Sequence, residues 1–176
     1  MPRSHSGTLP LTMADLDRLW APWRSEFVSQ RRRPGCVFCA AKRAKAHRQR
    51  YVVARGERVF ALLNRYPYNN GHLLIAPYRH VGRFESLTAA EWAGMFQLCR
   101  RLLHRLRRLL RPHGFNLGMN LERAAGAGIP GHLHLHVVPR WHGDTNFMPV
   151  AAGTRVVSQS LDELHALLTA AQRRTS

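Results

Sequence analysis

The sequence predicts an α+β fold, an antiparallel β-sheet with a long helix and a C-terminal helix packed against it. Three observations predict it. Short apolar segments with turn signals fill the region before residue 78. Helical periodicity runs from Thr88 to Arg111. Strict alternation then returns over His132–Pro139, ahead of a last helical stretch.

The elements follow in order. Thr12 and Asp15 form a capping pair for a short helix that stops near Pro22. Gly35-Cys36-Val37-Phe38-Cys39 reads as a tight turn. Tyr51–Ala54 and Glu57–Asn64 read as two strands joined at Arg55-Gly56, and Gly71–Pro77 as a third. The period then changes. Trp92, Met95, Phe96, Cys99, Leu102, Leu103, Leu106, Leu109 and Leu110 recur at helical spacing, with arginines on the other faces and Pro112 ending the run. Phe115–Asn120 reads as a strand. After the glycine-rich stretch 124–131 comes the strand His132–Pro139. A Ser160/Glu163 capping box opens the last helix, with Leu161, Leu164, Leu167, Leu168 and Ala171 on one face.

Composition bounds the function. The chain has 176 residues, 45% hydrophobic and 21% charged, which suits a globular domain able to bury its own core. No apolar run approaches the roughly 18 residues of a membrane span, and the first 13 residues hold no apolar signal core, so neither membrane nor secretion is expected. Three cysteines are too few for a disulfide framework and point to a reducing, cytoplasmic setting. The formal net charge is +17, and all but Lys42 and Lys45 of the 27 cations are arginine. Arginine grips phosphate oxygens with two prongs, so a polyanion is a natural partner, either nucleic acid or a small polyphosphate. Eight cations and no acid lie between Arg31 and Arg50. Only Phe38 and Tyr51 accompany them for base stacking, and a solvated basic loop explains this segment better than a nucleic-acid site.

The most informative segment is His132-Leu133-His134-Leu135-His136-Val137-Val138-Pro139. Alternation puts His132, His134 and His136 on one face and Leu133, Leu135 and Val137 in the core. Three readings compete: satisfied histidines on a half-exposed strand, a three-histidine metal site, and a neutral imidazole acting as nucleophile. A single histidine would fit the first; three in register do not. Glycines 126, 128 and 131 just before them let backbone N–H groups converge on an anion. A phosphate cradle beside an imidazole nucleophile makes phosphoryl or nucleotidyl transfer the coherent chemistry. Cys36-x-x-Cys39 has the spacing of a zinc knuckle but needs two further ligands; the other readings are two reduced cysteines in a turn, or a redox pair without the usual βαβ surroundings.

These residues resemble the histidine triad (HIT) superfamily. Asn64-Arg65 and the segment Gly71-His72-Leu73-Leu74-Ile75-Ala76-Pro77 are similar to its nucleotide-binding strands. The segment Leu19-Trp20-Ala21-Pro22-Trp23-Arg24, the cysteine pair and the segment Gly143–Pro149 resemble the branch of bacterial diadenosine tetraphosphate phosphorylases and hydrolases. The resemblance covers about 16–150. It implies a HIT domain over 16–150 with a zinc knuckle at 36–39, an N-terminal extension over 1–15 and a C-terminal strand/helix extension over 151–176.

It also implies roles. The catalytic set would be His132, His134 and His136. His134 would attack the α-phosphorus to form a nucleotidyl-histidine intermediate. His136 would contact the phosphate and assist the leaving group, and His132 would orient the strand or serve the metal site. Asn64 would bond the ribose, Leu62 and Leu74 would line the base pocket, and His72, Asn120, Gly126 and Gly128 would meet the phosphates. Structural zinc would be held by Cys36, Cys39, His80 and His132, with no catalytic cofactor. Substrate would be a dinucleoside polyphosphate, and the protein a homodimer through the long helix or a strand edge. Ile129 and Gly128 stand where many relatives carry a hydroxyl or amide side chain. The retained His136 leans towards hydrolysis and the segment Gly143–Pro149 towards phosphorolysis. The rival readings are a nucleoside phosphoramidate hydrolase with the same His134 chemistry, and a non-catalytic basic module for nucleotides or nucleic acid.

Overall fold

Val52–Arg55 (β1), Val59–Leu63 (β2) and Leu73–Pro77 (β3) are nearly continuous apolar runs, and almost every residue in them is buried. Such strands have no solvent face, so the sheet must be covered on both sides. In the computed structural model, which describes residues 35–43, 50–144 and 159–173, it is. The described residues fall within the compact unit formed by Arg32–Asp144 and Val156–Ser176. Gly114–Gly118 (β4) and Leu135–Arg140 (β5) complete a five-stranded antiparallel sheet of order β1-β2-β3-β5-β4.

Alternation sorts the side chains between two cores. Ala61, Leu63, Leu73, Ile75, Leu135 and Val137 meet Met95, Leu98, Leu102 and Leu106 of the long helix Ala89–Leu110 (α2). Leu164 and Leu168 of the C-terminal helix Leu161–Arg173 (α3) close the same core. Phe60, Leu62, Leu74 and Ala76 point the other way and meet Phe38 and Ala41 of a short helix, Val37–Arg43 (α1). The period of two along β2 and β3 thus builds both layers.

The capping chemistry is local. Thr88 Oγ1 accepts from the Glu91 N–H at 3.2 Å, and Glu91 Oε2 accepts from the Thr88 N–H at 2.9 Å. The Ser160/Glu163 box at α3 has the same form, 3.2 and 3.0 Å. Helix α2 ends where Arg111 turns left-handed at φ +48°, ahead of Pro112. Gly71, at φ +73°, sits against the end of α2, where a Cβ would lie 2.7 Å from Leu110 Cδ1.

Several expectations are corrected. The Cys36–Cys39 segment is not a tight turn; Cys36 precedes α1 and Cys39 lies within it, because Phe38 and Ala41 at i and i+3 bury together. The first hairpin is shorter than expected, and a bulge between Val52 and Ala54 shifts its register. The strand expected at Phe115–Asn120 is Gly114–Gly118. That expected at His132–Pro139 is Leu135–Arg140, with His132–His134 leading into it outside the ladder. Phe96, assigned to the core face of α2, is 56% exposed, and Leu98 takes the buried place. The Thr12/Asp15 helix, the segment Leu19–Arg24 and positions 145–158 lie outside the described residues.

Glu91 also carries the ion pair that holds the start of α2. Arg79 reaches it with Nε at 3.0 Å and Nη2 at 2.7 Å, and these bonds hold the buried carboxyl at about 2. A carboxyl depressed in the folded state stabilises the fold above its ordinary value of 4.5 and loses that contribution as the pH falls towards 2. Arg79 is half exposed, so solvent screening trims the contribution to about 2 kcal/mol. Urea unfolding between pH 5 and pH 2 is expected to show the wild type losing about that much more stability than Glu91→Gln. Parallel curves would refute the assignment.

Candidate active site

His136 lies in β5 opposite Leu74 of β3, so its ring shares the α1 side of the sheet with Leu62 and Leu74. Its neighbours Leu135 and Val137 point into the α2 side. His132 and His134 reach the same α1 side from the lead-in segment. All three were expected on one face of the strand, with a half-exposed strand as one of the competing readings. The structure instead buries His132 and His134 and half-buries His136, because α1 lies over them. The Phe38 ring is 4.9 Å from both the His132 and His134 rings.

Each ring has a distinct set of partners. His134 Nδ1 lies 2.9 Å from the His132 carbonyl oxygen. A carbonyl only accepts, so Nδ1 carries the proton and Nε2 keeps its lone pair. His72 is the reverse case. Its Nδ1 accepts from the Tyr68 N–H at 3.0 Å and from Asn64 Nδ2 at 3.3 Å, so its proton sits on Nε2. That Nε2–H donates to His136 Nδ1 at 2.9 Å, which leaves the His136 proton on Nε2. The His134 and His136 rings are 4.9 Å apart and hold opposite tautomers. Tyr68 stacks on His136 at 5.7 Å and 9°.

Burial lowers the proton affinity of both rings. It pushes His136 down to about 4, helped by the neighbouring His134 charge, and it lowers His134 against the opposing hydrogen bond to the His132 carbonyl. Both rings are therefore neutral at pH 7, the state a nitrogen nucleophile needs.

His132 faces elsewhere. Its Nε2–H donates to the Pro77 carbonyl at 2.9 Å, which turns Nδ1 towards the cysteines, 3.3 Å from Cys36 Sγ and 3.8 Å from Cys39 Sγ. His80 Nδ1 is 3.4 Å from Cys39 Sγ, and one ligand atom from each of the four residues falls within 4.8 Å of the others. A tetrahedral ion with metal–sulfur bonds of about 2.3 Å and metal–nitrogen bonds of about 2.0 Å sets S···N near 3.6 Å, so the donor set fits a metal ion. Four protein ligands leave no open coordination position, which suits a structural ion. The carbonyl on His132 Nε2 is the outer-shell bond that orients a ligating imidazole. With both nitrogens engaged, His132 has none left for a phosphate.

The remaining predicted residues separate into two groups. Asn64 sits beside His72, its Oδ1 also accepting from the Tyr66 N–H at 3.0 Å. Leu62 and Leu74 face each other across β2 and β3 and are the most open members of the α1-side core. The glycine-rich loop does not form the expected amide nest at its centre. The Gly126 N–H donates to the Arg123 carbonyl at 2.9 Å, and the Ala127 N–H to the Glu122 carbonyl at 3.1 Å. Asn120 Nδ2 ties the loop by donating to the Gly126 carbonyl at 3.4 Å. Near Gly126 the loop spends its amides on its own closure. Among the described residues Gly128 has no hydrogen-bond partner.

Sequence reasoning missed Phe38, Tyr68 and a staple behind His72. Asp144 accepts from Asn69 Nδ2 at 2.8 Å and from Arg140 Nε at 2.6 Å, and the Asn69 carbonyl accepts from the His72 N–H at 3.2 Å. Asp144 was visible only as part of the segment Gly143–Pro149. A cavity of about 210 Å³ borders Asn64 and His72, lined by Leu63, Pro67, Leu161 and Leu164, but it holds none of the triad.

Residues 45–143, more than half the chain, match the HIT domain. The chain belongs to the HIT domain family. Within it, the chain is 40% identical over 161 residues to an "AP-4-A phosphorylase" of Mycobacterium tuberculosis (strain CDC 1551 / Oshkosh), covering 87% of this chain and 83% of that protein. A "Bis(5'-nucleosyl)-tetraphosphatase [asymmetrical]" of Schizosaccharomyces pombe is 31% identical over 84 residues, 48% of this chain and 46% of its own. Among solved structures, a "ZN-bound histidine triad family protein" from Mycobacterium smegmatis superposes with a TM-score of 0.62 at 28% identity, covering 80% of this chain and 95% of that one. In this HIT domain the tautomer pattern is directly measurable. Nitrogen-15 shifts at pH 7 are expected to show a protonated Nδ1 on His134 and a protonated Nε2 on His136. His72→Ala is expected to leave His134 unchanged and mix the two forms on His136. A His136 unmoved by that substitution would contradict the relay.

Proposed function

We propose that the protein cleaves dinucleoside polyphosphates such as diadenosine tetraphosphate at an α-phosphate through a nucleotidyl-histidine intermediate. The observation that carries this reading is the pair of opposed tautomers. His134 offers a bare Nε2 lone pair; 4.9 Å away, His136 offers an Nε2–H. In the first step His134 Nε2 bonds to the α-phosphorus, the bridging P–O bond breaks, and the leaving nucleotide departs as its oxygen takes a proton from His136. In the second step inorganic phosphate or water attacks the same phosphorus and the P–N bond breaks. His134 regains its lone pair, and His136 receives the proton of the attacking group.

The binding residues follow from their places. Asn64 bonds the ribose, and Leu62 and Leu74 receive the base on the α1 side. His72 supports the phosphate-facing ring of His136 rather than meeting phosphate itself, because its two ring nitrogens are already engaged. Asn120, Gly126 and Gly128 shape the phosphate side of the pocket through the loop fold. Cys36, Cys39, His80 and His132 hold zinc, which clamps α1 to the segment that leads into β5. The relative from Mycobacterium tuberculosis favours phosphate as acceptor. The domain spans about 16–150, and the protein is a homodimer joined through β4, an edge strand among the described residues, where Leu117 and Leu121 are exposed. No described helix is long and apolar enough to cross a membrane.

Product analysis tests the reading. With phosphate present, diadenosine tetraphosphate is expected to yield ADP and ATP; with water alone as acceptor, AMP and ATP. His134→Ala is expected to lower kcat by at least about a thousandfold while nucleotide binding persists. An active His134→Ala protein would remove the mechanism. Release of AMP from an adenosine phosphoramidate, without turnover of the dinucleotide, would replace the substrate assignment. Metal analysis of the purified protein is expected to find about one zinc per chain, lost in Cys36→Ser/Cys39→Ser together with a lower melting temperature.

A further inference from the structure

Between Glu91 and Glu122 the chain has no acidic residue and six arginines: Arg100, Arg101, Arg105, Arg107, Arg108 and Arg111. The first five lie on α2 and the sixth caps it. At about 100° per residue, Arg100, His104, Arg107, Arg108 and Arg111 fall in one sector about 100° wide, opposite the core face of Met95, Leu98, Leu102 and Leu106. All five are exposed. Among the described residues none of the six arginines forms a salt bridge. Arg105 is turned away from the row and donates to the Leu168 carbonyl at 3.1 Å. On the flank of the row, towards its N-terminal end, sit stacked aromatics, of which Trp92 also packs against the core. Trp92 and Phe96 are 5.9 Å apart at 20°, Phe84 stands edge-on to Trp92 at 4.6 Å, and both phenylalanines are exposed.

We propose that this outer face of α2 binds single-stranded nucleic acid, phosphodiesters on the arginine row and bases on the Phe96–Trp92 platform. Arg107 and Arg111, at i and i+4, and Arg108 and Arg111, at i and i+3, are like-charge neighbours that destabilise the free helix, and a polyanion laid along the row relieves them. Guanidinium forks match phosphate oxygens, and exposed rings stack on bases of any sequence. From Phe96 to Arg111 the helix rises about 22 Å, enough for about four nucleotides, the lower end of single-strand site sizes. A duplex would leave the aromatic platform unused. An anionic bilayer surface needs an apolar face to insert, and the apolar face of α2 is already spent on the sheet. The triad opens on the opposite side of the sheet, so strand and nucleotide can be held together. This site uses no residue of the arginine-rich 31–50 segment and does not rest on the proposed reaction.

The test uses the full chain and fluorescence anisotropy of a labelled single strand of about 15 nucleotides, titrated between about 50 and 200 mM salt. The variant Arg100→Gln/Arg108→Gln/Arg111→Asn removes three cations, asparagine being chosen for the left-handed cap position. It is expected to bind at least about tenfold more weakly at low salt, with the log–log salt slope shallower by about two. Phe96→Ala is expected to weaken binding about fivefold or more with the slope unchanged. Both variants should keep the wild-type melting temperature and nucleotide turnover, which separates a lost site from a lost fold. The proposal is overturned if the triple variant binds like the wild type, or if the wild type ignores the strand. It is also overturned if Arg31→Gln/Arg32→Gln/Arg33→Gln abolishes binding while the α2 variant does not, or if anionic phospholipid vesicles are bound and the strand is not.

Discussion

One hydrogen bond organises the chemistry of this site: the His134 Nδ1–H on the backbone carbonyl of His132, at 2.9 Å. In water an imidazole exchanges tautomers freely. Here a carbonyl that can only accept chooses one of them, which leaves Nε2 without a proton. The carbonyl is itself held in place. The His132 ring is pinned by the Pro77 carbonyl at one nitrogen and faces two thiols at the other. The cysteine pair is thus connected to the His134 ring through His132, with no contact of its own to that ring.

The opposite choice at His136 comes from the other end of the sheet. The Tyr68 N–H meets His72 Nδ1, and each proton position down the line to His136 Nε2 follows from that contact. Low local dielectric then keeps the rings neutral while strengthening the hydrogen bonds between them. The turn that carries Tyr68 is held by Asn69, Asp144 and Arg140, which ties the Arg140–Asp144 ion pair to the hydrogen bonds that orient the His72 ring.

The two faces of the sheet divide the labour. The α2 side is dry packing, made by strand residues that alternate with the functional ones, so a one-residue slip in β5 would put His136 in the core and Val137 in the site. The α1 side carries little apolar mass beyond Phe38, Phe60, Leu62 and Leu74, and its remaining space is taken by the histidines. Holding three imidazoles there is tolerable because each of His132, His134 and His136 has at least one ring nitrogen on a backbone, ring or thiol partner within the described residues.

Much of this is written in local pattern. The alternation of β5, the period of α2, both capping boxes and the Cys-x-x-Cys spacing are short-range features, and each depends only on residues within a turn or a pleat of one another. The sequence by itself therefore determined the α+β class, the face of β5 that His136 takes and the side chains available for chemistry. Tertiary structure alone decided which nitrogen of His136 carries the proton, that His132 turns to the cysteines rather than to a phosphate, and that α1 covers the histidines. It also decided that the amides around Gly126 close their own loop and that Phe96 stands in solvent. Those outcomes depend on partners far away in the chain, Pro77 for His132 and His72 for His136 among them. Hydrogen-bond direction is set by which of those partners can accept, a property no local window of residues contains.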